Sequence, residues 1–161
     1  MKSGITFIIN EQIKELSLDF DIFIANTDEE INSCFPVFKE LRPHLVYEDL
    51  LPQVRRQESQ SYKIVALRHQ GEIKSLAGFR FCEFLAWGKV IYIDDLATLS
   101  TARGSGFANK LLDWVIEQAK AAGCNAVHLD SGHMRHDAHR VYLNKGFNIN
   151  SHHFALTLEK C

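Results

Sequence analysis

The segment Asp95-Leu96-Ala97-Thr98-Leu99-Ser100-Thr101-Ala102-Arg103-Gly104-Ser105-Gly106-Phe107-Ala108 runs from a strand through a short loop into a helix, with glycines where the helix opens. The first N–H groups of any helix lack intrahelical partners and stand at the positive end of its dipole. Gly104 and Gly106 let an anion approach those groups without a Cβ in the way, and Arg103 adds a charge that no physiological pH removes. The stretch reads as an anion cradle, against the plainer alternative of a glycine-softened loop whose arginine is solvated. Neither familiar nucleotide loop fits. A dinucleotide fingerprint needs a third glycine where Asn109 stands, and a P-loop needs Gly-Lys-Ser/Thr where Asn109-Lys110-Leu111 stands.

On the C-terminal side of the cradle, Phe107, Leu111 and Val115, with Ala108, Leu112 and Ala119 offset, repeat at helical spacing up to Lys120 and Gly123. On the N-terminal side the period is that of strands: residues 64–67, a turn at 69–72, residues 75–85, a turn at 86–89, and residues 90–98. Earlier still, residues 21–26 read as a strand. Thr27 and Glu30 form a capping-box pattern that opens a helix to about Leu41, and Pro43 separates it from a second helix over residues 48–57. Beyond Gly123, residues 125–130 read as a strand, residues 137–145 as a helix closed by Gly146 and Phe147, and residues 153–159 as a last strand. This order predicts an α/β (α+β) chain with a mixed sheet and helices on both faces.

Composition narrows the function classes. The 161 residues carry 18 Lys plus Arg against 20 Asp plus Glu, a net charge of −2, with 46% hydrophobic residues. That balance suits a soluble globular chain and offers no basic stripe for nucleic acid, Arg55-Arg56 being the one adjacent basic pair. No apolar run approaches the roughly 18 residues that span a bilayer, and the five-residue run 5–9 is too short for a signal sequence. Cys34, Cys82, Cys124 and Cys161 form no CxxC pair, which predicts reduced thiols and a cytoplasmic protein.

Two motifs carry a resemblance. Arg103-x-x-Gly106-x-Ala108 after a strand resembles the acyl-CoA signature of the GNAT N-acetyltransferase superfamily, and Asp137-Ala-His-Arg-Val-Tyr142-Leu-Asn-Lys-Gly146-Phe147 is similar to its later tyrosine-bearing motif. The resemblance implies an N-terminal extension of residues 1–20 and a single GNAT domain over 21–161, whose mostly antiparallel mixed sheet holds a splayed central pair of parallel strands. It implies acetyl-CoA as co-substrate. The diphosphate would sit on Arg103, Gly104, Ser105, Gly106, Phe107 and Ala108, and the pantetheine arm would pair with the main chain of Leu96, Ala97 and Thr98. Thr98 replaces the valine common in the family.

The chemistry expected of such a protein is attack by a neutral amine on a thioester. An amine of pKa about 10.4 is neutral in only about one part in 2,500 at pH 7, a deficit of about 4.6 kcal/mol that a base can help to meet. Strand alternation puts Asp94 on the same face as Leu96 and Asp95 on the other, which makes Asp94 the candidate base and Asp95 structural. Many relatives carry Glu where Tyr92 stands, leaving Tyr92 as a water-ordering alternative. Tyr142 matches the family position that protonates the departing thiolate, against the plainer reading of a core tyrosine. In such folds residues 41–60 shape the acceptor pocket, with Arg42, His44 and Tyr47 among its polar candidates.

The acceptor is a small-molecule or peptide amine, unidentified by sequence, and self-association as a homodimer is left open. The run Arg135-His136-Asp137-Ala138-His139-Arg140 resembles aminoalkylphosphonate N-acetyltransferases and favours an anionic acceptor. Histidines 133, 136 and 139 invite a metal reading, but Gly132 and Asp137 argue against a helix that would align them, so no metal is expected. A CoA-binding regulatory protein without transferase activity is the alternative from another class.

Overall fold

The computed structural model describes residues 20–158. The chain divides between His128 and Leu129 into two compact units. The first contains β1 (Phe20–Ile24), α1 (Asp28–Ser33), α2 (Phe35–Leu41), α3 (Tyr47–Glu58), β2 (Tyr62–His69), β3 (Glu72–Phe84), β4 (Gly88–Thr98), a 3₁₀ turn (Ser100–Ala102) and α4 (Phe107–Ala121). β5 (Ala126–Leu129) spans the division, and α5 (His136–Asn144) lies in the second unit.

The sheet runs in chain order, β1-β2-β3-β4-β5, antiparallel from β1 to β4 and parallel between β4 and β5. Its sharpest corner is at Gln70-Gly71, both at positive φ, a two-residue turn whose twist matches the strands it joins and which sets His69 opposite Glu72. Ile31, Val37, Phe38, Leu50 and Val54 of α1 to α3 pack on one sheet face against Tyr62, Ile64, Leu76 and Ala97. On the other face α4 buries Leu111, Leu112 and Val115 completely over β2 to β4, and Trp114 meets Phe79 edge-on at 5.8 Å. Each of those aliphatic side chains is worth about 1.5–3 kcal/mol in area removed from water. Gly123, at φ +68, closes α4, and the Cys124 N–H donates back to the Ala119 carbonyl at 2.9 Å.

Two expectations need correction. The helix expected from Thr27 to Leu41 is two helices. The capping box forms, with the Glu30 N–H donating to Thr27 Oγ1 at 3.2 Å and the Thr27 N–H to Glu30 Oε2 at 3.0 Å, but α1 ends at Ser33. Pro36 has no N–H and its ring would clash with a preceding helical carbonyl, so it is accommodated only in the first turn of a new helix begun at Cys34. The extension assigned to residues 1–20 lies outside the described residues apart from Phe20, which opens β1 opposite His69. The last strand does not form over 153–158, and Glu159 lies outside the described residues. Phe154, Leu156 and Leu158 alternate as a strand would, yet they are 90%, 87% and 78% exposed. Alternation supplies a face but no ladder, and a strand needs a hydrogen-bonding neighbour.

α5 starts and ends one residue before the expected bounds, and it is closed by the expected residues: Gly146 takes φ +97 and the Phe147 N–H reaches the Tyr142 carbonyl at 3.0 Å. No helix among the described residues is long and apolar enough to cross a membrane.

Cys34 is fully buried at the α1–α2 junction, and burial pushes its thiol up to about 12 from an unfolded value near 9. Above pH 9 the unfolded chain therefore binds fewer protons than the folded one, so stability is intact below about 9 and drains away as pH rises towards 12. Tyr62, its phenol also raised by burial, adds to the loss with the same sign. Urea denaturation at stepped pH should show unfolding free energy falling by up to about 1.4 kcal/mol per pH unit for each such group. Cys34→Ala should be less stable at pH 7 and should show a shallower alkaline slope.

A second expectation concerns Gly78, opposite Asp95 in β4, where an added Cβ would lie 2.0 Å from the Tyr62 hydroxyl oxygen. Gly78→Ala should cost about 2–4 kcal/mol by chemical denaturation, combining overpacking with a displaced buried hydroxyl.

Candidate active site

The strand that enters the cradle is irregular. Phe79 pairs with Ile93 and Gly78 with Asp95, so Asp94 is an extra residue in β4, a bulge. The bulge cancels the alternation that was to separate the two carboxylates. Arg80 stands opposite Tyr92 and beside Tyr62, and both Asp94 and Asp95 turn to this side; Leu96, opposite Ala77, takes the other. The expectation that Asp94 shares the face of Leu96 while Asp95 points away is thus corrected.

Charge pairing follows from that geometry. Arg80 Nε donates to Asp94 Oδ1 and Oδ2 at 3.1 and 3.0 Å, its NH2 also bonds Asp94 Oδ2, and its NH1 reaches Gln60 Oε1 at 3.1 Å. The hydrogen bonds to Asp94 hold the Arg80 guanidinium above its ordinary range. Asp95 Oδ2 accepts from the Tyr62 hydroxyl at 2.9 Å, while its Oδ1 accepts from Arg42 Nε and NH2 at 3.0 and 2.9 Å. Arg42 NH2 reaches the Asp94 carbonyl as well, at 3.2 Å. Tyr62 is only 3% exposed; burial, then the Asp95 charge, drives its phenol well above its usual value, so it serves as a fixed donor.

Downstream, Ser75 Oγ donates to the Ala97 carbonyl at 2.8 Å and lies 2.8 Å from Thr98 Oγ1. The 3₁₀ turn is held by Glu40 of α2, whose carboxylate accepts from the Ser100 N–H at 2.8 Å and Ser100 Oγ at 3.0 Å and lies 3.5 Å from Arg103 NH2. Gly104 and Gly106 follow at φ +81 and +78, with open space where a Cβ would point. No side chain caps α4 at Gly106, so its first N–H groups, those of Phe107 and Ala108 among them, head the helix at the loop that carries Arg103 and Ser105. Positive-φ glycines, an uncapped helix start, open space and an adjacent guanidinium fit a diphosphate.

The remaining candidates are scattered. Arg42, expected at the acceptor pocket, lies against the β4 bulge. His44 is exposed in the connection before α3, where Lys39 Nζ donates to the Leu45 carbonyl at 2.6 Å. Tyr47 opens α3, half exposed, edge-on to Phe35 at 5.2 Å. In the second unit Tyr142 is buried with its ring 6.0 Å from Phe147; burial raises its phenol and Arg135 opposes the shift. His136 and His139 have ring centroids 6.2 Å apart, and among the described residues no group of three or more His, Cys, Asp or Glu is assembled to hold a metal.

Sequence reasoning passes over Tyr62, Arg80 and Glu40. A signal exists for Arg80: in Gly78-Phe79-Arg80-Phe81 an arginine interrupts a buried strand, and a charge there requires a partner. Nothing local singles out Glu40, which acts on residues 60 positions away.

Comparison with known proteins agrees with this geometry. The sequence model of the acetyltransferase (GNAT) family matches residues 24–147. The uncharacterized N-acetyltransferase YhdJ of Bacillus subtilis is 35% identical over 128 residues, covering 78% of this chain and 90% of the relative. The aminoalkylphosphonate N-acetyltransferase of Salmonella typhimurium is 37% identical over 65 residues, covering 40% of this chain and 41% of that protein. The structure of aminoglycoside N-acetyltransferase AAC(6′)-Iy in complex with CoA superposes with a TM-score of 0.73 at 15% identity, over 88% of this chain and 95% of that one, a likeness of fold. The chain therefore belongs to the GNAT family of acyl-CoA-dependent N-acetyltransferases.

Proposed function

We propose that the protein moves the acetyl group of acetyl-CoA to the primary amine of a small molecule or peptide, by direct attack within a ternary complex. The observation that carries this reading is the uncapped mouth of α4, where Arg103, Gly104 and Gly106 follow the bulged strand β4. Main-chain N–H groups from Arg103 to Ala108 hold the diphosphate. The main chain of Leu96, Ala97 and Thr98 pairs with the pantetheine arm, and an N–H of this strand takes the charge that develops on the carbonyl oxygen during attack.

Asp94, which the bulge turns to the side of Tyr92 and away from Leu96, takes the proton released by the amine through a water ordered by Tyr92, with Arg80 holding the carboxylate in place. Tyr142 returns a proton to the departing thiolate. Burial favours the neutral phenol, so Tyr142 keeps its proton through the neutral and mildly alkaline range.

The identity shared with the phosphonate-acting relative supports one acceptor class, an amine bearing an anionic head group received by Arg135 and Arg140. Arg140 NH1 is 2.9 Å from Asp137 Oδ1, an exposed pair that a stronger anion can displace. His44 and Tyr47 remain the polar candidates at the acceptor side.

Release of free thiol from acetyl-CoA, followed across a panel of amines with aminomethylphosphonate included, tests the reading. Tyr142→Phe should keep CoA affinity within about threefold by calorimetry and lose about 10²-fold in kcat. Asp94→Asn should likewise keep CoA affinity within about threefold and lose about 10²-fold in kcat. A protein that binds CoA but releases no thiol with any amine is a binding module, and a protein without affinity for CoA ends the reading altogether.

A further inference from the structure

The last turn of α2 touches β4 and its continuation at two places, and the two places bracket residues 96–98. Arg42, the residue that ends α2, lays Nε and NH2 on Asp95 Oδ1 and extends NH2 to the Asp94 carbonyl. Glu40, two residues earlier, accepts from the N–H and the hydroxyl of Ser100. Between these anchors lies the strand segment that meets the acyl arm on the reading proposed above, on which this inference rests. A bulge leaves one residue out of the ladder and the strand free to bend there, so something outside the ladder has to fix its peptide planes.

We infer that Arg42 is a positioning residue for acetyl transfer: its guanidinium locks the bulge at Asp94-Asp95 and thereby aims the N–H groups of residues 96–98. Three features separate this from an ordinary surface ion pair. The bond to a main-chain carbonyl acts on the backbone directly. Asp95 is held from its other oxygen by the buried Tyr62 hydroxyl, so Arg42 closes a chain that is rigid at its far end. Gly78, opposite Asp95, leaves empty the space that the Tyr62 hydroxyl occupies when it donates to Asp95. Lysine cannot replace Arg42, because one ammonium cannot reproduce the fork on Asp95 together with the bond to the Asp94 carbonyl.

The bracket fixes the acetyl end of the co-substrate, whereas the diphosphate at α4 supplies the affinity. Loss of Arg42 should therefore fall on kcat and spare KM. In Arg42→Ala, kcat at saturating acetyl-CoA and amine should drop at least tenfold while the KM for acetyl-CoA moves less than threefold. Arg42→Lys should recover less than a third of that loss, and Arg42→Ala/Asp95→Ala should be no slower than the slower single variant. Amide hydrogen exchange in the free protein should quicken at least tenfold over residues 94–99 in Arg42→Ala and stay unchanged in α4. Where Arg42→Ala does not fold, Arg42→Lys is read by the same two measurements.

Exchange over 94–99 equal to that of the wild type, or a kcat within twofold of it, overturns the inference. So does strict additivity with Asp95→Ala. Wild-type protein that releases no thiol from acetyl-CoA ends the transfer reading instead, and the exchange measurement then decides the bracket by itself.

Discussion

The bulge at Asp94 sets two neighbouring carboxylates on one side of a half-buried strand, where each requires a counter-charge that the core cannot supply. Arg80 meets Asp94 with both side chains about one-fifth exposed, so the pair is largely withdrawn from water and removal of either partner leaves an uncompensated charge. Asp95, 14% exposed, is shared between Arg42 and the Tyr62 hydroxyl. Arg42 itself is half exposed, but the two carboxylates are withdrawn from water, unlike Asp28 beside Arg55 or Glu117 beside Lys120, which stand in solvent and are screened by it. The network draws on the end of α2 and on β2, β3 and β4, so the irregularity that breaks the ladder is also a point at which four elements of the first unit are tied together.

Beyond the bulge, the chain passes from a region of paired charge to one of open donors. Ser75 satisfies the Ala97 carbonyl, Glu40 accepts from the turn, and at Gly106 no side chain caps α4. Glu40 holds the turn and also lies near Arg103, which keeps an otherwise isolated guanidinium at the mouth of α4 from adding to the helix dipole without opposition. A diphosphate brings two or more negative charges into that field and gains both the dipole and Arg103. The glycines matter by what they lack, since at φ near +80 any other residue would be strained before a ligand arrived.

α4 and its glycine mouth were legible because several local rules coincide there: helical apolar period, uncapped glycines at the start, Lys120 and Gly123 at the end. The hairpins were legible for the same reason. The bulge was not, because an extra residue leaves no mark on a hydrophobic pattern; the adjacent aspartates hint at it, yet alternation reads them as one inward and one outward. Pro36 was visible, but its force depends on where the next helix begins. The failed strand at 153–158 shows the converse, a clear two-residue period with no neighbour to receive it. Of the site, the cradle followed from residue types alone, while the partners of Asp94 and Asp95 come from strands and helices far along the chain and had to be seen in space.

Burial of Tyr142 bears on the proton it is proposed to donate. A phenol near 10 is a weaker acid than a thiol near 8.5, so in water the transfer to a thiolate would run uphill by about 2 kcal/mol, and burial raises the Tyr142 phenol further. Desolvation acts on every anion alike, however. A thiolate formed in apolar surroundings is destabilised as a phenolate would be, and its affinity for a proton rises with that of its donor. On the proposed reading the two stay matched, and the same dryness that keeps Tyr142 protonated makes the leaving group basic enough to accept its proton.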